Sequence, residues 1–147
     1  MNTATARRQS PWDVYDYETD MLKETLRVCQ TEAFKTLQHP IPNAVVESML
    51  LHLRILVDIL LSRGSDDDDI KLTDLLPSFQ SPLIDELRNS YGNHKSVGSP
   101  CWTLNKMLAH PTLLRSGSYS YASTLITVLP LIVPLLDEIS QARQVSC

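Results

Sequence analysis

Only four glycines occur in 147 residues, at positions 64, 92, 98 and 117, and no two are close neighbours. A phosphate-cradling loop, a dinucleotide fingerprint and a nucleophile elbow all need closely spaced glycines, because the backbone must turn sharply or approach a ligand without a Cβ. Those scaffolds are excluded. Cysteine is equally sparse. Cys29, Cys101 and Cys147 are odd in number, widely separated and form no CxxC pair, which fits a reducing compartment better than a disulfide framework. The expected localisation is cytoplasmic. No HExxH, no close histidine pair and no EF-hand spacing is present, so no metal and no other cofactor is expected. Alternating β-branched runs bounded by turns are missing, as is any internal repeat.

Charge of one sign is also in short supply. Acidic residues outnumber basic ones by 17 to 13, for a formal net charge of −4. The field of the whole molecule therefore does not attract polyanions, and any nucleic-acid contact must use a local patch. The opening MNTATARRQSPWD has arginines but no apolar run after them, so residues 1–11 are expected to form a flexible tail and not a secretory signal. From Ser116 to Leu136 no residue is charged, which approaches the length of a spanning helix. Ser116, Gly117, Ser118, Ser120, Ser123, Thr124 and Thr127 dilute that run, and only Leu125 to Leu136 is strongly apolar. Such a length is too short to span, so a helix buried in the protein is expected, with no membrane partner.

What is there is helical periodicity. Val14, Tyr17, Met21, Leu22, Leu26, Cys29, Ala33, Phe34 and Leu37 recur at three- and four-residue steps, which predicts one long amphipathic helix from Trp12 to Leu37. His39-Pro40-Ile41-Pro42 stops it. Asn43 then caps a second helix through Val46, Leu53 and Leu60, closing at Arg63-Gly64, and the short link makes the two antiparallel. Ser65 and the Asp66–Asp69 run separate this hairpin from a single turn within Ile70 to Pro77, started by Thr73. A short helix follows from Ser81, with Pro82 at its first position, to about Tyr91, where Gly92 ends it. Ser99 caps a helix from Pro100 to His110, which Pro111 terminates. A last helix is expected from about Tyr119 to Ala142, kinked at Pro130 and Pro134. The predicted fold is all-α, a single domain over residues 12–142 followed by a tail at 143–147. Its architecture is an up-and-down bundle of four principal helices plus one or two short ones, with the uncharged C-terminal helix near the centre.

Candidate chemistry concentrates in SPCWTLNKMLAHPTLLR, residues 99–115. Cys101, Leu104 and Leu108 make an apolar stripe, while Trp102, Lys106 and His110 climb a neighbouring face. Asn105 and His110 lie about 140° apart on a straight helix and converge only where the helix breaks. At that break Asn105, Lys106, His110 and Arg115 offer an amide, two cations and a titratable imidazole to one polar pocket. The bland alternative is that Asn105 satisfies backbone groups, His110 favours the helix C-terminus and Arg115 is solvated. Elsewhere the Asp66–Asp69 run reads as a solvated acidic loop and not a cation site, because it lacks alternating ligands and a turn glycine. Arg54 and Asp58 read as an i,i+4 surface pair beside a boundary histidine, His52. His39 and His94 are assigned no role, and Tyr91 and Trp102 read as core anchors before base-stacking platforms.

Leu104-Asn105-Lys106-Met107-Leu108-Ala109-His110, set in a small helical bundle, resembles the HEPN superfamily (higher eukaryotes and prokaryotes nucleotide-binding domains). Its members often carry an arginine, commonly followed by asparagine, four to six residues before a histidine. Asn105 and His110 match that asparagine and histidine, and Leu104 occupies the arginine's place. The resemblance implies a homodimer that interacts with RNA or nucleotide. In its catalytic form it implies metal-independent RNA cleavage through the ribose 2′-hydroxyl, with His110 as general acid or base. Leucine cannot steady phosphorane charge, so a non-catalytic member is implied here. A protein-interaction or regulatory bundle without a ligand site, using the apolar C-terminal helix as a dimer face, is the competing expectation.

Overall fold

The computed structural model describes residues 9–109 and 121–146, and every regular element among them is helical. The elements are α1 (Pro11–Cys29), α2 (Glu32–Lys35), α3 (Ile41–Leu60), α4 (Leu72–Leu75), α5 (Pro82–Tyr91), α6 (Pro100–Thr103), the π-helix π1 (Leu104–Ala109) and α7 (Ala122–Val145). The all-α class is as expected, but the described residues form seven α segments where four principal helices and one or two short ones were expected.

Capping chemistry explains most of the boundaries. Ser10 starts α1 with a reciprocal box, its Oγ accepting from Asp13 N at 3.1 Å while Asp13 Oδ2 accepts from Ser10 N at 2.9 Å. The predicted run to Leu37 is broken at Thr31. Its hydroxyl donates to Val28 O at 2.7 Å and accepts from Phe34 N at 3.2 Å, so one threonine closes α1 and caps α2. The His39–Pro40 peptide is cis and α3 starts at Ile41, which places Asn43 inside the first turn and not at the cap. By contrast α5 and α6 begin as predicted, with Ser81 Oγ accepting from Leu83 N and Ser99 Oγ from Trp102 N, each at 3.2 Å.

The end of α3 departs from expectation in a way that matters for the site. Ser62, not Gly64, takes the left-handed conformation, with φ 51°. Ser62 N donates to Ile59 O at 3.1 Å and Arg63 N to Asp58 O at 2.9 Å, the paired bonds of a Schellman motif. Gly64 serves a different need: a Cβ there would lie 2.3 Å from Asp69 Cβ, so glycine lets the acidic loop fold back against the helix end.

Helix α1 packs on α3 and α5 on α7, while α6 contacts α7 and π1 contacts α3. The core is built from Leu50, Leu53, Leu56, Val57 and Leu60 of α3, Leu22 of α1, Leu87 and Tyr91 of α5, Leu104, and Val128, Ile132, Leu135 and Ile139 of α7. Two polar ties supplement it. Between α1 and α3, His52 Nδ1 lies 2.6 Å from Glu18 Oε2, both side chains only 9% exposed. His52 is thus a buried partner and not the boundary residue expected. At the far end Arg143 lies 4.0 Å over the Trp12 ring and donates through Nη1 to both Asp16 carboxylate oxygens, at 2.8 and 3.0 Å. This fixes α7 past the expected end at Ala142.

The C-terminal helix is not buried all round. One stripe is enclosed, namely Thr124, Val128, Ile132, Leu135, Leu136 and Ile139. Ile126 and Val133 stay 74% and 45% exposed, because α5 and α6 are its principal neighbours and cover one side. It runs through Pro130 and Pro134 for 24 residues, and by length and composition it is long and apolar enough to cross a membrane. The twelve-residue apolar core expected from the sequence understates it.

Breaking the Glu18–His52 pair strands a buried polar partner. The variant His52→Ala is expected to lose about 3 kcal/mol or more of unfolding free energy in urea. A double Glu18→Leu, His52→Leu variant is expected to recover most of that loss. A single-variant loss under about 1 kcal/mol contradicts the assignment.

Candidate functional site

Arg54 and Asp58 stand one turn apart on a face of α3, and the Schellman motif then turns the chain so that Arg63 returns beside Asp58. Arg63 is held by three groups from the following segments. Its Nη1 donates to Cys101 Sγ at 3.2 Å, its Nη2 donates to the Gly92 carbonyl, and the guanidinium lies 5.0 Å from the Tyr91 ring centroid. Gly92 is required at this junction, since its φ is 69° and a Cβ would meet Ser99 Cβ at 2.8 Å. The loop after it is closed locally: Asn93 Oδ1 accepts from Lys95 N and Ser96 N, and Ser99 Oγ donates to Asn93 O at 3.0 Å.

These constraints leave a cleft of about 550 Å³ lined by Arg54, Asp58 and Arg63 of the α3 end, Tyr91, Asn93 and His94 of the α5 exit, and Cys101 and Asn105 of α6 and π1. A second cleft of about 420 Å³ shares Asp58 and Arg63 and continues to Gly64, Ser65, Asp68 and Asp69. The Asp66–Asp69 loop itself is exposed, with Asp69 Oδ2 accepting from Asp66 N at 2.9 Å.

The expected Arg54–Asp58 ion pair does not form. Among the described residues neither side chain has a salt-bridge partner, and both line the cleft. Burial pushes the Asp58 carboxyl above its usual 3.8, and the attraction of Arg54 and then Arg63 does not offset that desolvation. Tyr91 is a core anchor, as expected, and burial raises its phenol far above the ordinary tyrosine range. The cleft therefore presents cations, an imidazole and amides beside a half-desolvated Asp58 carboxylate that has no ion-pair partner among the described residues. Such a set suits a ligand that carries both negative charge and hydrogen-bond donors.

Of the residues singled out from the sequence, Asn105 lies in this cleft. Lys106 is half-buried on π1 and does not line it, while His110 and Arg115 lie outside the described residues. Leu104 is fully buried, so the position matching the HEPN arginine faces the core. The predicted α-helical path from Pro100 also changes, turning to π geometry at Leu104. Arg63 and His94 were missed. Arg63 reads as an ordinary basic residue at a helix end, and His94 sits between Gly92 and Gly98 with no periodic signal. Arg54 and Asp58 were read as a surface pair, and Asn105 alone of the expected site residues lines the cleft among the described residues.

No protein-family model matches the chain, and no curated protein or solved structure matches it.

The raised Asp58 carboxyl sets a sign for stability. The folded state holds this proton to higher pH than the unfolded state, so stability falls as pH rises from 3.8 through the folded-state value and stays lowered above it. Asp58→Asn is therefore expected to raise the melting temperature at pH 7. That gain should shrink toward zero as pH drops below 3.8. A neutral-pH melting temperature below wild type contradicts an unpaired carboxylate.

Proposed function

We propose that the chain is a HEPN-like, cytoplasmic helical bundle with α1, α3, α5 and α7 in up-and-down order, and that it binds RNA or nucleotide through the Arg54–Asn105 cleft without cleaving it. The observation that carries this reading is the convergence of Arg54, Arg63, His94 and Asn105 on one concavity. A protein with net charge −4 needs such a local cationic patch to meet a phosphate. Asn105 links the cleft to the family-like segment, in which Lys106 and His110 are further polar residues, with Arg115 following in the sequence. The burial of Leu104 supports the non-catalytic form, since no guanidinium stands where the family places one.

A second reading, a protein-interaction bundle, is favoured by the exposed apolar stripe of α7 at Ile126, Pro130, Val133 and Pro134. The two readings share a homodimer, with that stripe as the two-fold contact.

Fluorescence anisotropy with labelled single-stranded RNA and with a nucleoside monophosphate tests the first reading. Arg54→Ala and Asn105→Ala are each expected to weaken binding about tenfold, with a loss of affinity at higher salt. Incubation of RNA with wild type and His110→Ala in chelator should leave it uncut in both. Undiminished binding by Arg54→Ala, or none by wild type, overturns the ligand reading. Sedimentation of an Ile126→Asp, Val133→Asp variant is expected to show a monomer with nucleotide affinity unchanged; a wild-type monomer refutes the dimer.

A further inference from the structure

The Asp58 carboxylate stands in a cleft of cations and, being negatively charged and acceptor-only, repels a phosphate and suits hydrogen-bond donors instead. We propose that Asp58 and Arg54 together read the Watson–Crick edge of guanine, making the cleft specific for a guanine nucleotide or an unpaired guanine in RNA. This inference rests on the ligand-binding reading above and names its ligand.

The argument is one of donor and acceptor matching. A carboxylate is acceptor-only and takes two parallel donors in one bidentate contact. Asp58 is held in such a state: it lines both clefts, and among the described residues no guanidinium or ammonium lies within ion-pair distance of it. Its partial burial makes the missing donors expensive to replace with water. Of the four RNA bases, guanine alone places two adjacent donors, N1–H and the exocyclic N2–H, on its Watson–Crick edge. Adenine and cytosine each set one amino donor beside a ring-nitrogen acceptor, and uracil flanks its single N–H with two carbonyls. Those acceptors meet the Asp58 lone pairs and are repelled.

The neighbouring group completes the match. Guanine O6 adjoins N1–H and is an acceptor, and Arg54, one turn before Asp58 on the same face of α3, is a donor with no salt-bridge partner among the described residues. Arg54 and Asp58 thus present donor, acceptor and acceptor side by side, the complement of O6, N1–H and N2–H. The volume of about 550 Å³ falls in the range of small-molecule sites. His94, on the α5 exit, lines the same cleft and faces the remainder of the nucleotide.

Isothermal titration of the full chain with guanosine, inosine and adenosine 5′-monophosphates tests this directly, alongside pentamers UUGUU and UUAUU to separate free nucleotide from RNA as the source of the base. Wild type is expected to bind the guanosine compound at least tenfold more tightly than the adenosine compound, with the inosine compound, which lacks the N2 amine, between them. Asp58→Asn, its fold checked by circular dichroism, is expected to lose that preference, binding the guanosine compound more weakly and, with the repulsion of the adenine acceptor removed, binding the adenosine compound more tightly than wild type does. Equal affinities for the guanosine and adenosine compounds in wild type, or a preference that survives in Asp58→Asn, overturn the guanine assignment and leave the phosphate-binding reading standing. If neither nucleotides nor pentamers bind, both fail together. A preference seen only with the pentamers assigns the base to RNA, and one seen with the monophosphates assigns it to free nucleotide.

Discussion

The Arg63 guanidinium is the interaction on which the rest of the molecule's polar organisation depends. It reaches from the end of α3 to the Gly92 carbonyl at the exit of α5 and to Cys101 on α6, and it covers the Tyr91 ring. The end of α3 is thereby held to two later segments, the α5 exit and α6, around one concavity. Because its donors are committed to a backbone carbonyl, a thiol and an aromatic face, Arg63 does not neutralise Asp58, although its charge lowers the carboxylate's energy from nearby. A guanidinium suits this position better than an ammonium, since its fork addresses two acceptors while its plane stacks on a ring. The cost of that arrangement is visible one residue earlier, where Ser62 occupies a left-handed conformation that favours glycine.

Two further ties define how the helices share the load. The Glu18–His52 pair pins α1 to α3 from inside, and the Arg143 contacts with Asp16 and Trp12 pin α7 to α1 from the rim. Between them lies an almost wholly aliphatic core. The outer stripe of α7 is excluded from that core, and the prolines at 130 and 134 fall on this uncovered side. Each proline removes an N–H from the helical ladder, and exposure lets water or a partner meet the carbonyls left over. Arginine and aspartate line the cleft, and the exposed apolar face of α7 lies elsewhere on the same small domain.

How much of this the residues announced depended on whether the signal was local. The starts of α5 and α6 were legible to the residue because serine-proline opens both, and Gly92 ends α5, whereas the α-helix expected from Pro100 to His110 gives way to π geometry at Leu104. The break after Cys29 was not, because the apolar period continues through Ala33, Phe34 and Leu37 and masks the double role of Thr31. Gly64 misled for a tertiary reason: its missing Cβ makes room for Asp69, leaving Ser62 to take the left-handed turn. The same distinction governs the site. Asn105 was legible from its own segment, whereas its partners at 54, 58, 63 and 94 are joined to it only by packing. The ion pair expected at 54 and 58 follows from helix spacing alone, and the return of Arg63 alters the field that spacing takes for granted.

The central claim is that Asp58 stands in the cleft as a carboxylate with no bound cation. Carbon-detected magnetic resonance of the Asp58 carboxyl, titrated in the free protein, measures this most directly. The account predicts a midpoint above 3.8, the value of an unperturbed aspartate. A midpoint at or below that value would show the carboxylate already engaged by Arg54 or Arg63, and the cleft closed to the ligand assigned to it.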